Sequence, residues 1–429
     1  MALNDEELNR RRKERKKEKA LLDKQMRLLK IGAIITAVVM VVCCAAVLIT
    51  SGMVKPQQPE QPQMQVPETT QPSATEEPTI PTEPKPTIPD TVIHYLAGGN
   101  VNVTDKTVSA GQGVNGYDYT GLFLDLAGVM SGSELTSVNF EGNVFGNSFG
   151  SESASAPPQL MTALRNAGVD IVQTANSYTV YNGLRGLTST LDAVRNAGME
   201  PAGSFADQAE FDRTRGFIIR EVEGIKIAVV AFTKGMSGMG LPQGGFVNLL
   251  YKDFSTTYQD VDSEGISKIL RNISYEKPDI TIALVHWGSE NYDNISKTQE
   301  QIRDLLLGGG VDAIVGTHPH YVQKITQDAQ GRVVAYSLGD LISDSSNYSV
   351  LLDLEITKDG DTGAVSITGF DYVPVYYADE RETGGTARLL RIREAIAAYE
   401  NNFLDRVSRE TYEAMKNALE RIEARVNGK

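Results

Sequence analysis

The chain has 429 residues, enough for two or more domains or for one large α/β domain with appendages. Its 41% hydrophobic and 22% charged residues are ordinary for a folded protein and exclude disorder throughout. The net charge of −14 is unevenly distributed, because the first thirty residues are basic and the remainder is strongly acidic.

Residues 1–30 form a basic block, and an uncharged apolar run over residues 31–52 follows it. About twenty apolar residues cross a bilayer core, so this run predicts one transmembrane helix. The basic flank predicts a cytoplasmic N-terminal tail and an extracellular main domain, and therefore a single-pass protein of the cell membrane. A cleaved signal peptide is the alternative, which the long basic segment disfavours. Topology and anionic lipid explain the basic block, so we expect no nucleic-acid partner.

Residues 53–90 are dominated by Pro, Gln, Glu and Thr and offer few apolar side chains to bury. This composition predicts an extended, mostly disordered linker between the membrane and the next domain. Both cysteines, Cys43 and Cys44, lie in the predicted span, so the exported part cannot form a disulfide. A domain without disulfides needs a large apolar core of its own.

From residue 91 the pattern alternates between strands and helices, which predicts an α/β fold with helices packed on sheet faces. The predicted strands are Val92–Ala97, Ser137–Phe140, Val169–Thr174, Gly216–Val222, Lys226–Phe232, Ile280–Val285, Val311–Val315 and Arg332–Ser337. The predicted helices are Tyr117–Met130, Pro157–Asn166, Leu184–Asn196, Ser263–Ser274 and Ser296–Leu307. The segment Arg-Asn-Ala-Gly occurs twice and places Gly168 and Gly198 just after a helix, where a left-handed residue is favoured.

Two later runs, Ser349–Ile356 and Ala364–Tyr372, predict an antiparallel pair of strands around a short turn. We expect the main domain to occupy residues 91–380 and a helical tail to occupy residues 381–429. The helical pattern runs from Leu389 to Asn427. It is compatible with packing on the domain and with assembly, and periodicity does not decide between them.

Three of the four histidines fall in two short segments that follow predicted strands. His286 lies in Leu-Val-His-Trp-Gly, and His318 and His320 lie in Gly-Thr-His-Pro-His. Ligands of open α/β sheets bind at the carboxyl ends of strands, and imidazole is the commonest metal-binding side chain. The three histidines therefore predict a metal or phosphate site. Ordinary turn and core histidines are the alternative.

Six segments at predicted strand ends carry a resemblance to a known family. They are Ala97-Gly98-Gly99-Asn100, Asn139-Phe140-Glu141-Gly142, Thr174-Ala175-Asn176-Ser177-Tyr178, His286-Trp287-Gly288-Ser289-Glu290, His318-Pro319-His320 and Tyr336-Ser337-Leu338-Gly339-Asp340. Together they resemble the CapA/PgsA family, which is associated with poly-γ-glutamate capsule synthesis. The domain of that family is similar to calcineurin-type metallophosphoesterases, so the resemblance implies an αββα sandwich over about residues 92–344.

The resemblance implies two metal ions, which clamp a phosphate ester and activate a bridging water. The chain departs from the family pattern at the first strand, where Asn100 replaces an aspartate, and at Tyr178, which replaces a histidine. Asp340 also replaces the asparagine that is usual in its segment. The first change exchanges an anionic ligand for a neutral amide, and the second exchanges an imidazole for a phenol.

The remaining residues predict one divalent metal site or none, with Mn, Zn, Fe or Mg as the candidate ions. The family pattern implies that the metal ligands are Glu141, Asn176, His286, His318 and His320. It assigns the candidate catalytic roles to His286, His318 and Tyr178, and it places Asn100, Trp287, Glu290 and Asp340 in the pocket.

Three functions are compatible with these observations. The first is a CapA-like role in synthesis, export or attachment of an anionic cell-surface polymer such as poly-γ-glutamate, with that polymer or its synthase complex as partner. The second is an active metal-dependent phosphoesterase, and the third is a non-catalytic scaffold of a cell-envelope complex. Because the domain is acidic overall, an anionic polymer needs a local basic cleft or a bridging metal.

Overall fold

The computed structural model describes residues 88–403 and 407–428. The predicted tail 1–30, the predicted span 31–52 and residues 53–87 of the predicted linker lie outside the described residues. Within the described ranges, no helix combines the length and the apolar content that crossing a bilayer requires.

Most strands belong to two sheets. The strands are β1 Thr91–Asn102, β2 Gln112–Gly113, β3 Gly116–Tyr117, β4 Leu135–Glu141, β5 Ile171–Gln173, β6 Glu200–Ala202, β7 Ser204–Phe205, β8 Phe217–Val222, β9 Ile225–Thr233, β10 Phe246–Val247, β11 Ile280–His286, β12 Ala313–Thr317, β13 Ile325–Gln327, β14 Val333–Ala335, β15 Asp340–Ile342, β16 Tyr348–Lys358, β17 Val365–Ala378 and β18 Arg388–Arg391. The larger sheet has the order β18-β17-β16-β1-β4-β5-β6, with β15 also paired to β1. The smaller sheet has the order β13-β14-β12-β11-β9-β8.

The helices are α1 Asp105–Ser109, α2 Thr120–Met130, α3 Gln159–Ala167, α4 Gly183–Asn196, α5 Gln208–Thr214, α6 Ser263–Glu276, α7 Lys297–Gly308, α8 Glu380–Thr383, α9 Ile392–Glu400 and α10 Arg409–Val426. Helices α2, α3, α4, α6 and α7 match the predicted positions closely, whereas the short helices α1, α5 and α8 were not predicted. Helix α7 begins with a capping box between Ser296 and Gln299. Gly168 and Gly198 both have positive φ, as the repeated segment predicts.

Three apolar clusters define the layers of the domain. One is built from strands of both sheets and fills the space between them, for example Tyr95 of β1 with Val229 of β9. A second joins the other face of the larger sheet to α2 and α3. The third joins the other face of the smaller sheet to α6 and α7. The described domain is therefore layered as helices, sheet, sheet and helices, and the predicted α/β class is confirmed.

The later strands β16 and β17 form the predicted antiparallel pair. The tail differs from its prediction, because residues 388–391 form strand β18 against β17 before the helices begin. Leu389 packs in the cluster with α2, whereas Leu390 packs in the cluster between the sheets. Since both faces of this strand are covered, the sequence has no polar alternation to indicate it. Helices α9 and α10 follow, and their apolar side chains join the central core.

Two glycines allow neighbouring strands to approach at the edge where the candidate site lies. A Cβ on Gly99 would lie 2.1 Å from the carbonyl oxygen of Gly339, and a Cβ on Gly316 would lie 2.0 Å from that of Tyr336. Neither position accommodates any other residue without a backbone shift. The Gly99 contact lets the Asn100 N–H donate to the Gly339 carbonyl at 3.0 Å, which aligns β1 with the start of β15.

Candidate functional site

The candidate site lies where the carboxyl ends of strands from both sheets meet. Glu141 ends β4, His286 ends β11, and His318 and His320 follow β12 directly. His318 and His320 have φ values of 94° and 64°, a backbone region that non-glycine residues rarely adopt. Such strain persists only where surrounding contacts hold it, and it is common at functional sites.

Glu141, His286 and His318 form a buried cluster, which we call the first half-site. One ligand atom from each lies within 4.8 Å of the others. Glu141 Oε1 is 3.3 Å from His286 Nδ1, and the two imidazole centroids are 4.4 Å apart. His318 Nδ1 is buried, and no described atom hydrogen-bonds to it. One carboxylate and two imidazoles, one of which has an unpartnered ring nitrogen, are a donor set that fits a divalent cation.

The ionisation of the first half-site is set mainly by burial. Burial raises the pKa of Glu141 to about 8, and His320 partly opposes that shift. Burial also lowers the pKa values of His286 and His318 well below 6.5, and nearby positive charges lower them further. Both imidazoles are therefore neutral at pH 7, the form that binds metals.

Ser177 holds the ring of His286 from the side opposite Glu141. Its backbone N–H donates to His286 Nε2 at 3.2 Å, and its hydroxyl oxygen lies 3.1 Å from the same nitrogen. With Nε2 accepting, the proton of the neutral ring is on Nδ1 and faces Glu141. His286 would bind a cation through Nδ1 only in the other neutral tautomer, in which Nε2–H donates to the Ser177 hydroxyl oxygen and the hydrogen bond from the Ser177 backbone N–H is given up.

Asn100, His320 and Asp340 form a second buried group, which we call the second half-site. His320 Nδ1 lies 3.0 and 3.1 Å from the two carboxylate oxygens of Asp340, and Asn100 Nδ2 donates to one of them at 2.7 Å. Burial lowers the pKa of His320, but the hydrogen bond and charge of Asp340 outweigh burial and raise it to about 9. This half-site therefore contains an ion pair whose charges compensate each other.

A one-way chain of amide hydrogen bonds links the two half-sites. Asn176 Nδ2 donates to Asn139 Oδ1 at 3.1 Å, and Asn139 Nδ2 donates to Asn100 Oδ1 at 2.8 Å. Asn139 Nδ2 also donates to Glu141 Oε1 at 3.1 Å. The chain ends on Asp340 through Asn100. All members are buried, so each of these bonds replaces water that the site excludes.

The other predicted site residues lie around this centre. The Asn176 amide oxygen accepts from the backbone N–H of Tyr178 at 3.0 Å, so it faces a turn rather than the cluster. Tyr178 is half-buried, and burial, helped by Glu141 and Glu290, raises its pKa to about 12, which keeps its phenol protonated. Glu290 is exposed at the mouth of the site. Trp287 is buried, donates to the Tyr336 carbonyl at 2.8 Å and stacks on that ring, which are the contacts of a packing residue.

Sequence reasoning missed two residues of this site and a third, Lys234, that lies beside it. Asn139 shares a strand face with Glu141, and the period of two along β4 was the signal for it. Ser177 acts mainly through its backbone N–H, which residue type does not reveal. Lys234 follows β9 directly, and the rule about strand ends that selected the histidines also applies to it.

Residues 90–345 match the family model described as "Bacterial capsule synthesis protein PGA_cap". The chain is 25% identical over 238 residues to capsule biosynthesis protein CapA of Bacillus anthracis, covering 54% of this chain and 56% of that protein. It is 26% identical over 212 residues to PGA biosynthesis protein CapA of Bacillus subtilis (strain 168), covering 48% and 52%. The chain thus spans about half the length of the curated relatives it matches.

Among solved structures, the calcineurin-like phosphoesterase YfkN from Bacillus subtilis superposes with a TM-score of 0.41 at 16% identity, covering 78% of this chain and 100% of that one. The family match is the stronger finding, because it covers more than half of the chain and includes both half-sites. This chain belongs to the bacterial capsule synthesis protein (PGA_cap) family.

Proposed function

We propose that the protein acts in synthesis, export or attachment of an anionic cell-surface polymer such as poly-γ-glutamate, using one divalent cation at the first half-site. The observation that carries the proposal is the cluster of Glu141, His286 and His318 within a domain of the capsule synthesis family. The two similar proteins, one a capsule biosynthesis protein and the other a PGA biosynthesis protein, support the same polymer class.

Glu141, His286 and His318 would hold the cation, and the second half-site would hold none. When bound, a divalent cation polarises a carbonyl or phosphoryl oxygen and attracts anionic groups. It would thus supply the local positive charge that an acidic protein needs in order to bind an anionic polymer. Tyr178, which stays protonated, would offer a hydrogen-bond donor at the mouth of the site.

The proposal includes the membrane topology that the sequence predicts. Residues 31–52 would span the membrane, residues 1–30 would stay in the cytoplasm, and the described domain would lie outside the cell with the polymer synthase complex as its partner. Protease added to intact cells should then degrade the domain and spare an epitope tag at residue 1. Protection of the domain would contradict this topology.

The test of function is deletion of the gene in its host, followed by measurement of cell-bound and released poly-γ-glutamate. We expect deletion to lower the cell-bound polymer, the intact gene to restore it, and His318→Ala to fail. His94→Ala is the matched control, because His94 is the histidine outside the site. Unchanged polymer after deletion would contradict the function, and full restoration by His318→Ala would contradict the role of the metal.

A further inference from the structure

Lys234 lies beside the first half-site although it belongs to neither half-site. It follows the last residue of β9, at the edge where β11 ends with His286. Its backbone N–H donates to the His286 carbonyl at 2.8 Å. The position of Lys234 relative to His286 is therefore fixed by the same sheet edge that presents the histidine.

The ammonium group of Lys234 has unused hydrogen-bonding capacity. Nζ donates to the Gly288 carbonyl at 2.7 Å and lies 4.8 Å from the centroid of the Tyr258 ring. An ammonium has three N–H donors, and the described residues supply hydrogen-bond acceptors for one of them. Across residues 88–403 and 407–428, no carboxylate lies within the 4.0 Å of Nζ that an ion pair requires. The charge of the exposed Glu290 acts on Lys234 from beyond that distance and does not contact Nζ. The remaining N–H donors of this half-buried ammonium are therefore available to an anionic ligand.

Local backbone geometry holds this lysine in place. The Thr233 hydroxyl donates to the Gly235 carbonyl at 3.0 Å and closes a tight turn around Lys234. Gly235 has φ of 158°, and a Cβ there would lie 2.3 Å from the Phe254 carbonyl oxygen. The turn fixes the backbone of Lys234, and the contacts of Nζ with Gly288 and Tyr258 fix the ammonium, so it needs little reorganisation to meet a ligand.

Lys234 follows β9 and His286 ends the neighbouring strand β11, so the charge of Lys234 lies at the same sheet edge as the first half-site. A lysine this close to a bound divalent cation repels it. An anionic group that contacts both cations removes that repulsion and gains two favourable interactions, as in charge-assisted hydrogen bonds.

We propose that Lys234 and the first half-site form one oxyanion subsite, in which a carboxylate or phosphate oxygen group bridges the ammonium and the cation. The inference rests on the proposed function for the cation, and it adds the recognition of the ligand. The two sources of such a group are the side-chain carboxylates of a γ-linked glutamate polymer and a phosphate. Gly288 and Tyr258 position Lys234, and the ammonium makes the contact.

The test is calorimetric titration of the purified full chain, loaded with Mn²⁺, with a short γ-linked glutamate oligomer in one arm and inorganic phosphate in the other. We expect Lys234→Met to weaken binding about tenfold or more, which is the size of a lost charge-assisted hydrogen bond. Lys234→Arg, which keeps the charge, should retain most of the affinity. Binding of the oligomer identifies a carboxylate ligand, and binding of phosphate identifies a phosphoryl ligand.

Lys226→Met is the matched control, because Lys226 lies at the opposite end of the same strand, with its ammonium near Glu276. Equal affinity of Lys234→Met and the unmodified chain would overturn the proposal. Equal weakening by Lys226→Met would also overturn it, since the effect would then be one of net charge. Metal content, measured on every sample, separates the proposal of a cation at the first half-site from the proposal of an oxyanion subsite. A chain that holds Mn²⁺ and binds neither probe contradicts the subsite alone. A chain that retains no Mn²⁺ contradicts cation binding at the first half-site. If that chain still binds a probe in a Lys234-dependent manner, the result supports anion binding by the lysine.

Discussion

The two half-sites use similar residues in opposite ways. In the first, two neutral histidines and a carboxyl group with raised pKa leave a buried ring nitrogen without a partner. In the second, a charged histidine is held by the two oxygens of Asp340, and Asn100 satisfies the same carboxylate. The comparison teaches that burial alone does not indicate a metal site. The half-site that fits a cation is the one that combines a carboxylate and two imidazoles with an unpartnered ring nitrogen on His318.

The chain of amide hydrogen bonds explains how an unsatisfied half-site and an ion-paired half-site exist side by side. Asn139 donates to Asn100 on one side and to Glu141 on the other, so it orients both half-sites at once. In the second half-site the Asp340 carboxylate is already satisfied by hydrogen bonds from Asn100 and His320. A cation there would have to displace the proton of His320 and compete with a compensated ion pair.

The largest expected effect concerns the first half-site. His318→Ala should lower the metal retained after desalting from about one ion per chain to almost none, because even groups that only support a ligand change metal affinity about 10–100-fold. Metal analysis of the purified protein checks this. His94→Ala should keep the full metal content, and a matching loss in that variant would show that the effect is not specific to the site.

The next effect concerns the second half-site. Asp340→Ala should destabilise the fold by about 3 kcal/mol, because it leaves His320 and the Asn100 amide buried without their partner. The cost is at the low end for a buried pair because His320 can release its proton. Denaturant unfolding measures the difference. The control is Asp353→Ala, which breaks the half-exposed pair with His94 and should cost below about 1 kcal/mol. Equal costs would contradict the distinction between buried and exposed pairs.

A smaller effect is expected at the link between the half-sites. Asn139→Ala leaves the Asn100 amide oxygen and the Asn176 amide nitrogen short of a partner, so it should cost about 1–3 kcal/mol in the free energy of unfolding. The exposed Asn196, changed to alanine, serves as the control and should have little effect. An Asn139→Ala protein as stable as the parent would show that the chain of amides does not contribute.

The smallest effect is a pH dependence away from the site. The hydrogen bond between His94 and Asp353 raises the pKa of His94 above 6.5. The stabilisation is therefore fully present below pH 6.5 and is lost as pH rises through the folded-state pKa. Because the pair is partly exposed, the change should stay below about 1 kcal/mol. Unfolding measured at pH 5.5 and pH 9 should show this slope in the parent chain and a flatter one in Asp353→Asn.

The sequence predicted the fold better than the site. Strong alternation and helix-ending glycines located most strands of the two sheets, but the three-residue strands β6, β13 and β15 were missed. Strand β18 was also missed, because its two leucines are buried on opposite faces. The three histidines and Glu141 stand out because their strand ends are explicit in the sequence. The hydrogen bonds of Asn176, Asn139 and Ser177 depend on side-chain direction and on a backbone N–H, neither of which a residue pattern contains. Asp340 illustrates the same limit, since only the register of β15 with β1 places it beside Asn100.

The most direct test of the central claim is the metal-to-protein ratio of the purified full chain after incubation with Mn, Zn, Fe or Mg and desalting. The account predicts about one ion per chain, held by Glu141, His286 and His318, with the second half-site closed by its own ion pair. Two ions per chain would contradict the closed second half-site, and no retained ion with any of the four metals would contradict the first.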